Sequence, residues 1–196
     1  MALILPHQRR ILTGQLRTIT PGNAVWGPGS ATLSITIPDY NVLTMYIWGG
    51  GGGGGGNGYN LNQYVAGTAG ASYFSAPDGV IYAYGGTGGY SGANSKSVGN
   101  GAAGSHGGAS GGNIYNTTGG GMAGGAGAYA NNSTPTYGGN GGYGGLVGRQ
   151  WLFGAAGSPV VGGTYTLYLA PSGAGGYGEY ATGAQGTYPQ AQLVWS

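Results

Sequence analysis

Val42-Leu43-Thr44-Met45-Tyr46-Ile47-Trp48 runs without a break into eight glycines, Gly49 to Gly56, and the change of character at Trp48 sets the architecture of the chain. Before the junction, Leu43, Met45 and Ile47 alternate with Thr44, Tyr46 and Trp48, the period of two that gives a strand two different faces. After it there are no side chains to bury, so any packed interior has to be made of backbone brought close to backbone.

The surrounding sequence extends the strand reading. Upstream, Ala31 to Ile37 places Ala31, Leu33, Ile35 and Ile37 in alternation with Thr32, Ser34 and Thr36, a half-buried strand. Pro38-Asp39-Tyr40-Asn41 then turns the chain, which predicts a hairpin between this strand and Val42 to Trp48. Downstream, Tyr73 to Ala76 and Val80 to Tyr84 flank Pro77-Asp78-Gly79, and an Asp-Gly pair between β-rich runs is a hairpin signal. Thr164 to Leu169 and Gln192 to Trp195 are also strand-like, and no stretch shows helical periodicity. The fold expected is all-β, a small antiparallel β-sandwich with glycine-rich excursions and essentially no α-helix.

Within the excursions glycine recurs in triplet register. Gly138, Gly141 and Gly144 form one set, and Gly139, Gly142, Gly145 and Gly148 the offset set. Shorter pieces occur at Gly86, Gly89 and Gly92, at Gly101, Gly104 and Gly107, and at Gly121, Gly124 and Gly127. A period of three matches the polyproline II helix, which has three residues per turn, a rise of about 3.1 Å and no internal hydrogen bonds. Packed side by side, polyglycine segments of this kind bond one another; long loops on a β domain are the plainer reading of the same runs. Collagen fits poorly, because the triplets are short and Pro135 is the only Pro between Asp78 and Ser158.

Composition narrows the class. The chain has 196 residues, 51 of them Gly, with 17 Tyr, 4 Trp, 4% charged residues and a formal net charge of +2. Disordered chains carry more charge and fewer aromatics, so this one condenses. Residues 21–196 are expected to form a single domain. The cations Arg9, Arg10, Arg17, Lys96 and Arg149 form no patch beyond residue 17, which argues against a nucleic-acid partner. Cys is absent, consistent with assembly in a reducing cytoplasm. Met1 to Leu5 is too short for a signal h-region, and no run approaches the roughly 20 apolar residues of a membrane span.

Little points to catalysis. Asp39, Asp78 and Glu179 are the only carboxylates, and the first two sit in predicted turns, where Asp is common for conformational reasons. His7 and His106 have no metal-ligand spacing with them, and no serine has a nucleophile-elbow context. The expectation is a protein that is not an enzyme, with no catalytic residues, cofactor or metal.

The aromatics remain as chemical resource, since Tyr offers a flat apolar face and a hydroxyl at low entropic cost. Tyr59, Tyr64, Tyr90, Tyr115, Tyr129, Tyr137 and Tyr143 lie in or beside glycine-rich excursions, with Asn131 and Asn132 as short polar neighbours. They are candidate contact residues; the plainer alternative is that they cover the glycine layers. Leu3, Ile4, Leu5, Ile11 and Leu12 around Arg9 and Arg10 make residues 1–20 a candidate attachment segment.

Thr20-Pro21-Gly22, Leu33 to Pro38, and Val42 to Trp48 entering Gly49 to Gly56 together resemble the glycine-rich proteins of phage tails and prophages. The likeness continues at Gly67 to Phe74, at Tyr84-Gly85-Gly86-Thr87-Gly88-Gly89, at Gly162 to Leu169 followed by Pro171-Ser172-Gly173-Ala174-Gly175-Gly176, and at Ala191 to Trp195. The resemblance implies that the strand before the glycine run and the C-terminal strand share a sheet. It also implies a virion protein: a tail-fibre tip or adhesin that meets a host surface glycan or outer-membrane protein, contacts other virion proteins, and assembles as a homo-oligomer, a trimer by analogy with phage fibres. Related T-even-type adhesins alternate glycine motifs with variable segments that contact the host. The chain departs from them in lacking a long shaft, and a capsid decoration or fibre assembly protein is the competing expectation.

Overall fold

The computed structural model describes residues 18–58, 64–93, 100–130 and 136–196. The candidate residues Leu3, Ile4, Leu5, Arg9, Arg10, Ile11, Leu12, Tyr59, Asn131 and Asn132 lie outside them. In chain order the strands are β1 (Gly22–Trp26), β2 (Ala31–Thr36), β3 (Val42–Trp48), β4 (Asn57–Gly58), β5 (Ser72–Ala76), β6 (Gly79–Ala83), β7 (Gly92–Ala93), β8 (Ala109–Ser110), β9 (Tyr115–Thr117), β10 (Tyr129–Ala130), β11 (Thr136–Tyr137), β12 (Leu146–Leu152), β13 (Thr164–Leu169) and β14 (Gln190–Trp195). No helix forms among the described residues.

Two antiparallel five-stranded sheets make a β-sandwich. One has the order β1-β14-β3-β12-β9 and the other β2-β13-β5-β6-β8. Alternation puts Leu43, Met45, Ile47, Val147 and Leu193 of the first sheet against Ile35, Phe74, Ile81, Leu167 and Leu169 of the second, all at most 5% exposed. Each such side chain contributes about 1.5–3 kcal/mol of hydrophobic stabilisation. The C-terminal strand β14 does pair with β3, with Leu193 opposite Met45, and β5 and β6 form the hairpin expected at Asp78-Gly79.

The hairpin expected between Ala31–Ile37 and Val42–Trp48 does not form: β2 and β3 belong to different sheets. The linker is a crossover held inside the fold. Ile37 stays paired to the end of β13 by bonds with Gly162 and Gly163, and the N–H groups of Asn41 and Val42 both donate to the carbonyl of Ser196. Ile37 and Tyr40 are fully buried, so an apolar strand face on either side of them is better covered by facing the other across the core than by sharing one sheet.

Tyr40 ties this crossover to the β12–β13 connection by donating its hydroxyl to the carbonyl of Pro159 at 2.6 Å. Burial pushes its phenol up from the ordinary value, opposed by the hydroxyl of Ser158 and reinforced by Tyr165. A raised folded value means that this contribution is complete below the unfolded value near pH 10 and is lost as pH rises through the folded one. Wild-type protein is therefore expected to lose stability above about pH 10 more steeply than Tyr40→Phe, as read by urea melts at pH 8 and pH 11.

At one end the sandwich opens into the glycine segments, whose hydrogen bonds repeat every third residue. The 49–56 segment lies in the middle. Its partners step along it in threes: Gly86, Gly89 and Gly92 donate to Gly50, Gly53 and Gly56, while Gly49, Gly52 and Gly55 donate to Gly145, Gly142 and Gly139. Around it lie segments 64–70, 84–92, 137–145, 120–128, 181–187 and 171–177, each bonded to the next at 2.8–2.9 Å. The ring runs through Ala66 to Gly89, Gly139 to Tyr90, Gly138 to Ala128, Ala184 to Ala126, Gly183 to Gly176, and closes with Gly67 to Ala174, donor first in each pair. Segment 100–108 lies outside, bonded to 84–92 through Tyr90 to Ala102 and to 137–145 through Gly101 to Tyr137.

Threefold rods in a hexagonal array satisfy their outward N–H and C=O groups in just this way, since each helix presents bonding groups in several directions around its axis. Glycine is required by distance. A Cβ added at any residue from Gly51 to Gly56 would lie 1.8–2.1 Å from a neighbouring carbonyl oxygen, well inside van der Waals contact. Successive segments alternate in direction along the chain, as the rising and falling registers show. Every second connection therefore returns to the sandwich, and the others fall at the opposite, distal end.

Candidate functional site

The distal end is organised by Asn57, the first residue after the glycine run and completely buried. Its backbone N–H donates to Ala181 and its carbonyl accepts from Tyr180 at 2.9 Å. Its side-chain amide donates to the carbonyl of Thr136 and, at 3.0 Å, to the Thr136 hydroxyl, which lies 3.2 Å from Asn57 Oδ1. Asn57 also pairs with Gly92 in the parallel β4–β7 bridge. The backbone and side chain of this one buried residue together gather the ends of segments 49–56, 84–92, 137–145 and 181–187, the side-chain amide making the link to Thr136.

Around this point the structure groups several of the candidate tyrosines. Tyr129 and Tyr137 are opposite each other in the β10–β11 pair, their rings stacked with centroids 4.7 Å apart. They remain 45% and 51% exposed, so their outer ring faces and hydroxyls are open to a partner. The backbone N–H of Tyr137 donates to Asn100 Oδ1 at 2.9 Å, which fixes the ring's attachment point without using its side chain. Tyr64 and Tyr90 form a second pair of positions: Ser91 and Tyr64 exchange two bonds, Ser91 N–H to the Tyr64 carbonyl at 2.8 Å and Tyr64 N–H to Ser91 Oγ at 2.9 Å. Both tyrosines are exposed.

Two candidates lie elsewhere. Tyr143 is at the base of segment 137–145, where its N–H donates to His106 Nδ1 at 3.0 Å and its ring sits 5.4 Å from the imidazole. With Tyr137 and Asn140 it lines one exposed face at every third position. Tyr115 is on the sandwich in β9, its ring 6.1 Å from that of Tyr46. Between them lies Gly148 of β12, where an added Cβ would come within 2.9 Å of the Tyr115 ring and 3.2 Å of the Tyr46 ring. Tyr115 therefore covers bare backbone, the plainer of the two roles open to these residues.

Tyr177 and Tyr180, 69% and 52% exposed, belong to the distal end but escaped the sequence reading. Their signal is present in the sequence: Gly176-Tyr177-Gly178 has the glycine-flanked form of Gly142-Tyr143-Gly144. Glu179 stands between them, and among the described residues it is the only formally charged side chain in the glycine segments and their distal turns. Elsewhere, Asp78 and Arg149 form an ion pair on the sandwich, and the Trp151 indole N–H donates to the same carboxylate at 3.1 Å. That carboxylate is thereby committed to joining the β5–β6 turn to β12.

Among the described residues no three His, Cys, Asp or Glu side chains cluster as a metal site, and no helix is long and apolar enough to cross a membrane. Among the described residues, the distal end offers a group of exposed tyrosines with Glu179 as its one charged side chain, suited to hydrogen bonding and stacking. The opposite pole of the sandwich differs in kind. There Leu152, Phe153 and Val160 are 58%, 48% and 65% exposed, beside a cavity of about 430 Å³ lined by Tyr40, Phe153, Pro159, Val160 and Val161. No family model, curated protein or solved structure matches the chain.

Proposed function

We propose that this chain is a virion surface protein of a bacteriophage, a tail-fibre tip or adhesin, which holds the particle by the apolar pole of its sandwich and meets the host with the distal end of its glycine segments. The observation that carries the reading is the separation of the two ends. Tyr64, Tyr90, Tyr129, Tyr137, Tyr177 and Tyr180 gather at the end remote from the sandwich core, while β1 starts and β14 finishes together at the other, with Gly22 opposite Trp195. Glycine packing makes the connecting piece stiff, so contact residues are presented with little ordering cost on binding. The resemblance of the sequence order to that of glycine-rich phage tail proteins suggests the biological setting. The partner at the distal end is a surface glycan or outer-membrane protein, and no nucleic acid or membrane insertion is involved.

Replacing Tyr129 and Tyr137 together by Ala is expected to weaken binding of the fluorescent protein to susceptible bacteria by about 1–3 kcal/mol, as truncation of aromatic anchors does. The fold should persist, since both rings are half exposed. Protein that ignores every strain of a bacterial panel yet binds phage particles would replace this reading by a capsid decoration or fibre assembly role, to which the exposed pole at Leu152, Phe153 and Val160 is equally suited.

Copies of the chain, three in the usual fibre arrangement, are part of the proposal. β1 and β2 are edge strands of their sheets, and neither Gly22–Trp26 nor Ala31–Thr36 contains a charged residue or proline to block further pairing; edges left so open invite another strand. Light scattering is expected to give a trimer mass, and a monomer at high concentration contradicts this part.

A further inference from the structure

The outward face of the second sheet carries an ordered set of side chains that the distal end does not use. Register places Thr32 opposite Tyr168, Tyr168 opposite Tyr73, Tyr73 opposite Tyr82, and Tyr82 opposite Ser110, one continuous row across β2, β13, β5, β6 and β8. The alternate residues Ile35, Leu167, Phe74 and Ile81 are in the core, so this row faces away from it. Ring centroids follow one another at 5.3 Å from Tyr168 to Tyr73 and 5.8 Å from Tyr73 to Tyr82. Tyr84 continues the line 5.9 Å beyond Tyr82, with only 13° between the two ring planes, and its hydroxyl lies 3.4 Å from Ser110 Oγ. On the same face the flanking positions Ser34, Thr36, Thr164, Thr166 and Ser75 carry hydroxyls, Val80 opposite Ser75 adds an exposed apolar side chain, and no outward residue of the five strands is charged.

We infer that this face is a binding platform for a neutral glycan, separate from the distal end. A pyranose presents a C–H face that stacks on an aromatic ring and a rim of hydroxyls that both donate and accept. The row supplies adjacent tyrosine rings for the first and Tyr, Ser and Thr hydroxyls, each donor and acceptor, for the second. Charge selects among glycans. With no Lys or Arg among the described residues of the face there is nothing in it to balance a carboxylate or phosphate, so acidic polysaccharides and nucleic acids lack the counter-charge that drives their binding. The rings are braced against one another on a rigid sheet, so little side-chain freedom is lost when a sugar chain lies across them. The platform lies on the sandwich and stands or falls independently of the distal-end reading.

The test is an array of neutral and acidic bacterial polysaccharides probed with the full chain, with affinities then measured for each polysaccharide bound. Wild type is expected to bind at least one neutral polysaccharide, and Tyr73→Ala or Tyr82→Ala to lose at least tenfold in affinity. Because removing a ring that covers the sheet could also unfold it, Thr166→Lys gives a second arm: all rings stay in place and a cation is added to the face. At least fivefold loss is expected there with an unchanged melting temperature. Thr187→Lys, an exposed position on the segment across the bundle from 84–92, controls for the added charge and should bind like wild type. Failure to bind any neutral polysaccharide, or equal binding by wild type and Thr166→Lys, overturns the platform. Loss in the Tyr129, Tyr137 double alanine variant with full binding by Thr166→Lys also overturns it, and assigns the glycan to the distal end instead.

Discussion

Gly52→Val is expected to yield no soluble folded protein. Residue 52 is in the central segment, where its N–H donates to Gly142 and its carbonyl accepts from Gly125. A Cβ there would lie 2.0 Å from the carbonyl oxygen of Thr87 and 2.4 Å from its carbon. Backbone cannot move aside as a flexible side chain can, so segments 49–56 and 84–92 would have to part, breaking the bonds at Gly86, Gly89 and Gly92. Each is worth about 1 kcal/mol when made, and more when its groups stay buried without partners. Together with overpacking strain of about 1–3 kcal/mol, the loss reaches the scale of a whole domain's stability. Gly142→Val, whose Cβ would meet the Ser105 carbonyl oxygen at 1.9 Å, should behave alike. Gly108→Ala is the contrast: the nearest atom to its added Cβ is the Thr118 hydroxyl at 3.9 Å, and its melting point should stay near that of wild type. Soluble yield and circular dichroism melts read all three.

The second large effect is expected at Asn57. Asn57→Leu keeps the number and branching of the side-chain heavy atoms but leaves the Thr136 hydroxyl and carbonyl without the side-chain amide that meets them. Stranding buried polar groups costs about 2–4 kcal/mol in sum, which for a domain of this size lowers the melting temperature by roughly 4–16 °C. Calorimetry showing a change below about 1 kcal/mol would mean that the distal ends are joined by something other than this amide. Because the four segments meet there, cell binding through Tyr129 and Tyr137 should weaken as well, even though Asn57 itself is inaccessible.

The sandwich strands with clean alternation were legible in the sequence. β2, β3, β13 and the β5–β6 hairpin stand out because one face is buried and the other exposed, the condition under which period two survives. β12, a central strand, was not, since Gly148 and Arg149 break its pattern. Those two residues answer to neighbours that the local sequence does not show: Gly148 makes room for the Tyr46 and Tyr115 rings, and Arg149 reaches Asp78. β1 was missed for a related reason. It is a five-residue edge strand with a Gly and an Asn in its first two positions, so its assignment depends on pairing with β14 and not on its own propensity. The β2–β3 turn had ordinary hairpin chemistry, yet the core decided between one sheet and two.

The glycine triplets were visible as a repeat, but their partners were not, because bare residues carry no signal of which segment lies beside which. The candidate site shows the same division. Position in or beside the glycine-rich excursions identified Tyr64, Tyr90, Tyr129 and Tyr137, which the structure places at the distal end, whereas Asn57, which helps hold that end together, is an inconspicuous residue after a run of glycines. The tyrosine row on the second sheet was also hidden, since Tyr73, Tyr82 and Tyr168 become neighbours only through register between strands far apart in sequence.

Amide hydrogen exchange at Gly51 to Gly55 tests most directly whether the glycine run is the centre of a bonded array. The N–H groups of Gly51, Gly52, Gly53, Gly54 and Gly55 donate to Thr187, Gly142, Gly67, Ala184 and Gly139 on three different neighbouring segments, so opening any one of them requires the array to separate. Their exchange should be as slow, within about tenfold, as that of the β3 amides in the sandwich core. Exchange at the rate of free peptide, with β3 still protected, would make the run a solvated loop and contradict the backbone-packed interior.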